Sequence, residues 1–174
     1  MRIPHNPKEI LAIVDEKDEV IGKDTRENIH ARGEIHREVY VHIISPKKGL
    51  LLQKRKDNLL WDHPVGGHVP FNENYLETAI RESQEELGLK VSKEELIEIE
   101  KEKTSSTRII NNRFAKVFLL KKDIPLREIK LDKGEIIKVK YFGKIELLEL
   151  LKHPELIGGS AQKIIEKHFI KKLN

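Results

Sequence analysis

The segment at residues 72–88 constrains the fold more than any other part of the chain, because its apolar positions recur at the spacing of an α-helix. The residues on this stripe are Leu76, Ala79, Ile80, Ser83 and Leu87. Asn72 or Asn74 can cap the start of the helix, and Gly88 can end it. A helix with one apolar face must pack that face against other elements. The segment therefore predicts an amphipathic helix on a hydrophobic core.

Three glutamates lie at the border of this stripe. At about 100° per residue, Glu82, Glu85 and Glu86 share one face of the helix. Neighbouring carboxylates on a helix repel one another, and more strongly when partly buried, so a cation is expected beside them. Mg²⁺ or Mn²⁺ fits, because these ions prefer oxygen ligands. A solvated acidic face is the ordinary alternative, but the Gly66-Gly67 turn and a further acid upstream favour a metal site.

Length and composition restrict the class of protein. A chain of 174 residues suits one domain with a substantial core, and we expect a single domain over residues 1–174. The absence of cysteine excludes disulfides, thiolate metal sites and a cysteine nucleophile. The 33 basic and 29 acidic residues are mixed along the chain, and aromatic residues make up only 5%, so we expect no nucleic-acid partner.

The sequence also gives an expected location and assembly. The N-terminus is polar, and no stretch approaches the roughly 18 apolar residues that span a bilayer. We therefore expect a cytoplasmic protein with no membrane partner, which acts on a small molecule as a monomer or homodimer.

Shorter patterns outline a sheet covered by helices. A charged turn between apolar runs predicts an N-terminal hairpin over residues 9–22. Apolar runs predict strands at 37–44, 50–53, 114–120 and 136–142. Amphipathic helices are expected at 145–151 and 161–170, so that C-terminal helices cover about 144–172. The stretch 54–72, which contains glycine and proline, predicts an irregular functional loop. The class is α+β with a mixed sheet.

The spacing around the glutamates resembles a family motif. Gly67, Glu73 and the run Arg81-Glu-Ser-Gln-Glu-Glu-Leu-Gly-Leu89 match the pattern G-x5-E-x7-R-E-U-x-E-E-x-G-U, where U is apolar. This pattern is the Nudix box, here at residues 67–89. One position departs from it, since Ser83 stands where an apolar residue is usual. We expect only a packing cost from that serine.

The resemblance implies a fold and a set of roles. Nudix domains are α/β/α sandwiches with a mixed sheet, in which the box forms a loop-helix-loop that holds a divalent metal ion, here Mg²⁺ or Mn²⁺. The expected metal ligands are Glu82, Glu85, Glu86 and the backbone carbonyl of Gly67. Arg81 is expected to brace the loop by pairing with Glu73.

The chemistry that such a site favours is hydrolysis of a nucleoside diphosphate derivative or another organic diphosphate. A metal ion offsets the phosphate charge and activates water, and a carboxylate takes the proton. One of the helix glutamates can do so. Glu135, on a loop before a strand, is a candidate base from outside the box, and a plain surface role fits its position equally well.

Five further residues are candidate substrate contacts. They are Arg37, Lys54, Arg55, Trp61 and His68. Basic side chains pair readily with phosphate oxygens, although exposed cations at strand ends are common. Trp61 can stack on a base, cover an isoprenoid tail or anchor the core.

The resemblance extends to the branch of the family that includes isopentenyl-diphosphate isomerases and their hydrolase-like relatives. The matching stretches lie at 14–22, 26–30, 33, 36–37 and 50–55. The isomerase protonates and deprotonates carbon with a cysteine and a glutamate, beside a His-rich metal site. This chain has Gly66 where the thiol is expected, and Asn111 and Arg113 where carboxylates are expected. Its box is complete, so hydrolysis is favoured.

Three histidines leave an alternative open. His30, His36 and His68 match positions of the isomerase metal site, but a lone histidine is more often hydrogen-bonded or exposed than a metal ligand. Contact with substrate phosphate is another role for them. The alternative functions are therefore an isomerase-like enzyme and a non-catalytic Nudix-fold domain that binds a ligand.

Overall fold

The computed structural model describes residues 6–106 and 111–173 and contains a mixed sheet between helices. Within those residues the strands are β1 (Ile10–Val14), β2 (Val20–Thr25), β3 (His36–Ser45), β4 (Gly49–Arg55), β5 (Trp61–Asp62), β6 (Val65–His68), β7 (Leu96–Ser106), β8 (Asn111–Lys121) and β9 (Ile136–Phe142). The helices are α1 (Arg26–Arg32), α2 (Tyr75–Leu87), α3 (Lys144–Leu151) and α4 (Gly159–His168). Among these helices, none is long and apolar enough to cross a membrane.

Strand β3 is the centre of the main sheet. β8 runs parallel to β3, in a register that places His36 opposite Arg113. β6 and β4 pair antiparallel with successive parts of β3, and β5 and β9 pair with β4. β7 extends the sheet beyond β8, while β1 and β2 form a separate hairpin. This topology sets the backbone of Gly66 opposite Tyr40 and that of Gly67 opposite Val39.

Two hydrophobic cores lie on opposite faces of the sheet, because successive side chains of a strand point to opposite faces. Val39, Val41 and Ile43 of β3 pack in the core that includes α2. Tyr40 and Ile44 pack in the core that includes α3 and α4. The layers are therefore helix, sheet and helix, which confirms the mixed sheet that the patterns predict and the α/β/α sandwich that the resemblance implies.

Helix α2 begins and ends where its sequence predicts. The Asn74 side chain accepts hydrogen bonds from the backbone N–H groups of Leu76 and Glu77, while the Glu77 side chain accepts from the N–H of Asn74. Gly88 ends the helix with φ at 68°, a left-handed conformation that glycine adopts without strain. The Ser83 hydroxyl donates to the carbonyl of Ala79 at 2.7 Å, so this buried polar group is satisfied.

Some predicted elements differ from those observed. The prediction of an irregular stretch at 54–72 is wrong in part, because β5 and β6 lie within it and pair with β4 and β3. The hairpin extends to Thr25, and α4 ends at His168. The elements α1 and β7 are absent from the sequence prediction. The helix α1 buries only Ile29, and the edge strand β7 carries alternating charges, so neither has a strong apolar pattern.

A buried carboxylate ties the hairpin to the main sheet and to α2. Asp18 lies in the β1–β2 turn with φ at 67°, which aspartate tolerates better than most residues. Its carboxylate accepts hydrogen bonds from Arg37 Nε at 2.6 Å, from Lys101 Nζ at 2.7 Å and from the Tyr75 hydroxyl at 3.1 Å. Asp18 is only 8% exposed, so these contacts are shielded from water.

We expect the substitution Asp18→Asn to lower the free energy of unfolding by about 2–3 kcal/mol, because it removes the charge that two cations and a buried hydroxyl face. Asparagine also tolerates the left-handed backbone, so the loss measures the charge. Denaturant unfolding monitored by circular dichroism gives the value. Glu16→Gln is the matched control, since Glu16 pairs with Lys103 on the surface of the same hairpin and should contribute little. Equal, small effects of both substitutions on the free energy of unfolding would contradict a stabilising role for the buried charge of Asp18.

Candidate active site

A cavity of about 780 Å³ opens between α1, α2, α4 and the sheet. Its walls include Arg26 and His30 of α1, Glu38 and Tyr40 of β3, Gly66, Gly67 and His68 of β6, Glu82 of α2, Asn111 and Arg113 of β8, and Ser160 of α4. Among the described residues that line it are seven carboxylates and three guanidinium groups. A polyanion that enters this cavity is therefore repelled unless further cations accompany it.

Two glutamates of α2, Glu82 and Glu86, stand against the Gly66-Gly67 strand. Glu82 and Glu86 are 1% and 2% exposed, and the backbone N–H of Gly66 donates to Glu86 Oε2 at 3.3 Å. A Cβ atom at Gly67 would lie 2.5 Å from Glu82 Oε1, so only glycine allows this approach. Glu85 is more exposed, at the rim of the same helix face. Buried carboxylates beside a close backbone form a donor set that suits a hard divalent cation.

Arg81 links several of these acids. Its Nε atom lies 3.0 Å from both carboxylate oxygens of Glu73, and its Nη1 atom lies 2.8 Å from Glu82 Oε1 and from Glu85 Oε2. Burial lowers the pKa of Arg81, but the surrounding carboxylates outweigh this effect and raise it above its ordinary value. The arginine therefore stays charged and holds the loop before α2 against the helix.

A second group of potential metal ligands lies across the cavity. The ring nitrogens of His30, His36 and His68 include atoms that all lie within 4.8 Å of one another. Glu38 Oε1 lies 3.4 Å from His68 Nε2 and 3.7 Å from His36 Nε2. Burial lowers the pKa of His68 well below its ordinary value, and a neutral imidazole can ligate a metal. Three imidazoles and a carboxylate suit a transition metal better than Mg²⁺.

Glu38 is also the centre of a buried hydrogen-bonding network. Arg113 Nε forms an ion pair with Glu38 Oε2 at 2.7 Å, Asn111 Nδ2 donates to Oε1 at 3.0 Å, and the Tyr40 hydroxyl donates to Oε2. Burial raises the pKa of Glu38, but the neighbouring His36, His68 and Arg113 hold it well below its usual range. Glu38 is therefore ionised at the back of the cavity.

The structure brings some of the predicted site residues together and places others elsewhere. Arg55, His68 and Glu135 line the cavity with Gly67 and Glu82. Arg37 does not line it, because its guanidinium pairs with Asp18. Lys54 Nζ lies 5.3 Å from the centre of the Trp61 ring, and that ring packs edge-on against Phe142. Neither Lys54 nor Trp61 is among the residues that line the cavity. Of the three box glutamates, Glu82 lines it, whereas Glu85 and Glu86 do not.

Several cavity residues lie outside the sequence prediction of the site. Glu38 and Tyr40 follow His36 at alternate positions of β3, and this two-residue period is a signal that could have placed them on one face. Arg26 is the first residue of α1, a short helix whose sequence has no strong apolar pattern. Arg113 enters the site through the parallel register of β3 and β8, which residues so far apart in sequence do not reveal.

Comparison with known proteins identifies the family to which this geometry belongs. The family model described as the NUDIX domain matches residues 34–162. The chain belongs to the Nudix family. A crystal structure of a Deinococcus radiodurans protein superposes with a TM-score of 0.73 over 91% of this chain and 98% of the other, at 23% identity. That likeness shows that the two proteins share the Nudix fold.

Relatives of this Nudix protein include both hydrolases and isomerases by name. The protein named Nudix hydrolase 3 of Arabidopsis thaliana is 35% identical over 128 residues, which cover 67% of this chain. This chain spans only 17% of the length of that relative. The human protein named isopentenyl-diphosphate delta-isomerase 2 is 30% identical over 169 residues, which cover 83% of this chain and 73% of the human protein.

Proposed function

We propose that this Nudix protein is a metal-dependent hydrolase of a nucleoside diphosphate derivative or a related organic diphosphate. One observation carries the proposal: Glu82 and Glu86 of the box are buried against the Gly66-Gly67 backbone, where Glu82 and Gly67 line the large cavity. The surplus of carboxylates over guanidinium groups in that cavity supports a requirement for divalent cations.

The proposed metal is Mg²⁺ or Mn²⁺, and its proposed ligands are Glu82, Glu85, Glu86 and the carbonyl of Gly67. When bound, such an ion screens the diphosphate charge and makes a water molecule more acidic. Arg81 positions these ligands, because it contacts both Glu82 and Glu85. Because neighbouring carboxylates repel one another, the positive charge of Arg81 also offsets their negative charge while no substrate is bound.

Three further cavity residues have proposed roles in binding the substrate and in accepting the proton of the attacking water. Arg55 and Arg113 offer guanidinium groups to phosphate oxygens. Glu135 lines the same cavity and is the proposed general base, which takes a proton as the water oxygen bonds to phosphorus. The bond between that phosphorus and the bridging oxygen then breaks, and the bridging oxygen leaves on the second phosphate. The products are two phosphate-bearing fragments.

A product-release assay tests this proposal across nucleoside diphosphate sugars, dinucleoside polyphosphates, nucleoside triphosphates and prenyl diphosphates. We expect metal-dependent turnover of at least one compound that contains a diphosphate bond. Purified protein with its box intact that hydrolyses none of them, with Mg²⁺ or with Mn²⁺, would contradict the proposal and favour a ligand-binding domain.

The second candidate function is carbon acid–base chemistry of the isomerase kind. It is favoured by the cluster of His30, His36, His68 and Glu38, and by the likeness to the human isomerase. It is disfavoured by Gly66, which has no proton to donate. A Cβ atom at that position would meet the Tyr40 ring at 3.0 Å, so a side chain there needs this ring to move.

We expect no exchange of solvent deuterium into isopentenyl diphosphate, because glycine at position 66 leaves one face of the double bond without an acid or base. Proton exchange measured by NMR over prolonged incubation with Mg²⁺ or Mn²⁺ checks this. Incorporation by the wild type that disappears in His68→Ala would restore the isomerase, since His68 lines the cavity and can shuttle protons.

A further inference from the structure

Arg113 lies between two cavities. It lines the active-site cavity of about 780 Å³, which we call the main cavity, and it also lines a side cavity of about 390 Å³ between α4 and the strands β7 and β8. Glu100, Glu102 and Lys163 are among the other residues that line the side cavity. The guanidinium can therefore serve a ligand in the main cavity or pair with the carboxylates of the side cavity, and its contacts decide which.

Three neighbours fix the direction of the Arg113 guanidinium. Its Nε atom lies 2.7 Å from Glu38 Oε2, and its Nη1 atom donates to the backbone carbonyl of Asn111 at 3.5 Å. The guanidinium also donates to the Tyr40 hydroxyl. Arg113 is 8% exposed and Glu38 is 7% exposed, so water competes little with these contacts.

The Glu38 carboxylate is itself held on both of its oxygens. Asn111 Nδ2 donates to Oε1 at 3.0 Å, and the Tyr40 hydroxyl donates to Oε2. His68 Nε2 lies 3.4 Å from Oε1, and His36 Nε2 lies 3.7 Å from it. Because each oxygen faces a hydrogen-bond donor, the carboxylate cannot turn without breaking one of these contacts.

The arginine keeps its charge and some of its donors within this network. Burial lowers the pKa of Arg113, but Tyr40, Glu38 and Asp62 outweigh this effect and raise the pKa above its ordinary value. The guanidinium is therefore charged. It has more N–H donors than its contacts with Glu38, Asn111 and Tyr40 use, so donors remain for phosphate oxygens.

A fixed guanidinium binds a phosphate more tightly than a mobile one. A mobile arginine loses rotamer freedom when it binds, whereas an arginine that is already held loses little. A released Arg113 can also pair with Glu100 or Glu102 of the side cavity. Both of these glutamates contact Lys167, and Glu100 also contacts His168, so Arg113 would compete with those partners.

We propose that Glu38 is a positioning residue, which holds Arg113 at the main cavity so that its guanidinium binds the diphosphate there. Glu38 acts through the arginine and does not touch the substrate. Its negative charge opposes binding of an anion, but that charge acts from behind the arginine, whereas the bond between guanidinium and phosphate depends on direct geometry. Positioning is therefore the larger effect. The inference rests on the proposed function, because it concerns the arginine that binds the diphosphate of that same site.

Binding of methylenebisphosphonate, a diphosphate analogue that is not hydrolysed, tests the proposal. Isothermal titration calorimetry with Mg²⁺ gives its dissociation constant for the wild type, for Glu38→Gln, for Arg113→Gln and for the double variant. The carboxamide in Glu38→Gln turns an NH₂ group toward hydrogen-bond donors whichever way it lies, so it cannot hold the arginine as the carboxylate does. Glu27→Gln is the charge control, because it removes one negative charge from an exposed position in the wall of the same cavity.

We expect Glu38→Gln and Arg113→Gln each to weaken binding about tenfold, and the double variant to stay within about twofold of Arg113→Gln. Glu27→Gln should change the dissociation constant by less than about twofold. Unchanged or tighter binding in Glu38→Gln would show that its charge repels the ligand and would overturn the proposal. Losses that multiply in the double variant, or no binding of the analogue by the wild type, would overturn it as well.

Tyr40→Phe keeps the proposal testable if Glu38→Gln does not fold, as thermal unfolding would show. This variant removes only the hydroxyl that contacts both Glu38 and Arg113. We expect about threefold weaker binding of methylenebisphosphonate, and no further loss when Arg113→Gln is also present. No weakening by Tyr40→Phe, or equal weakening with and without Arg113→Gln, would overturn the proposal.

Turnover separates positioning from a general loss of structure. Glu38→Gln should raise KM about tenfold and leave kcat within about threefold, because the arginine contacts the phosphate both before and during the reaction. A loss confined to kcat would overturn the proposal. Because methylenebisphosphonate is not hydrolysed, a failure of the hydrolase proposal appears only in the turnover assay, and the calorimetric result stands apart from it.

Discussion

Replacing Glu86 with glutamine is expected to lower kcat by about a hundredfold or more while leaving the fold intact. Glutamine has the shape of glutamate, and its carbonyl can still accept the hydrogen bond from the N–H of Gly66. What the substitution removes is the negative charge that the proposed metal ion needs. Glu85→Gln should have a similar effect, because Glu85 completes the same face of α2.

A matched control for these variants lies on the same helix. Glu77 caps the first turn of α2 through the N–H of Asn74, and glutamine can replace that contact. Glu77→Gln should therefore keep turnover within about twofold of the wild type, and the thermal midpoints of all the variants should agree closely. Unchanged turnover in both Glu85→Gln and Glu86→Gln would show that the metal ion sits elsewhere.

Removal of divalent ions is expected to abolish hydrolysis. The described residues that line the main cavity carry more carboxylates than guanidinium groups, so a diphosphate without its cation meets net repulsion there. Treatment with excess chelator, followed by dialysis, should reduce turnover to the background rate. Added Mg²⁺ or Mn²⁺ should restore it, and circular dichroism before and after treatment shows whether the fold survives. Full activity in excess chelator would contradict the proposed mechanism.

Local patterns predict the elements that carry strong apolar periodicity. The helix α2 is predictable because its cap residues and its stripe all lie within the segment. By contrast, β6 contains Gly66 and Gly67 and is a strand only because β3 offers it a partner. Pairing of this kind depends on residues distant in sequence, so propensity alone indicates a loop there.

The acidic part of the site is predictable, whereas its basic part is not. The glutamates of the box lie at fixed spacings on one helix, so sequence alone places them together. The place that an arginine side chain on a strand reaches depends on the groups it pairs with and on how its strand pairs in the sheet. Arg37 pairs with Asp18 of the hairpin, whereas Arg113 reaches the cavity because β8 pairs in parallel with β3. Both facts come from tertiary structure.

Isotope labelling tests most directly whether water attacks phosphorus in the main cavity. The compound with the highest turnover in the product-release assay is hydrolysed with Mg²⁺ in water enriched in oxygen-18, and the products are analysed by mass spectrometry. We predict that one phosphate-bearing product gains a single heavy oxygen, located in its phosphate group, in the wild type but not in Glu86→Gln over the same period. Heavy oxygen on a carbon atom, or in neither product, would contradict attack of water on phosphorus.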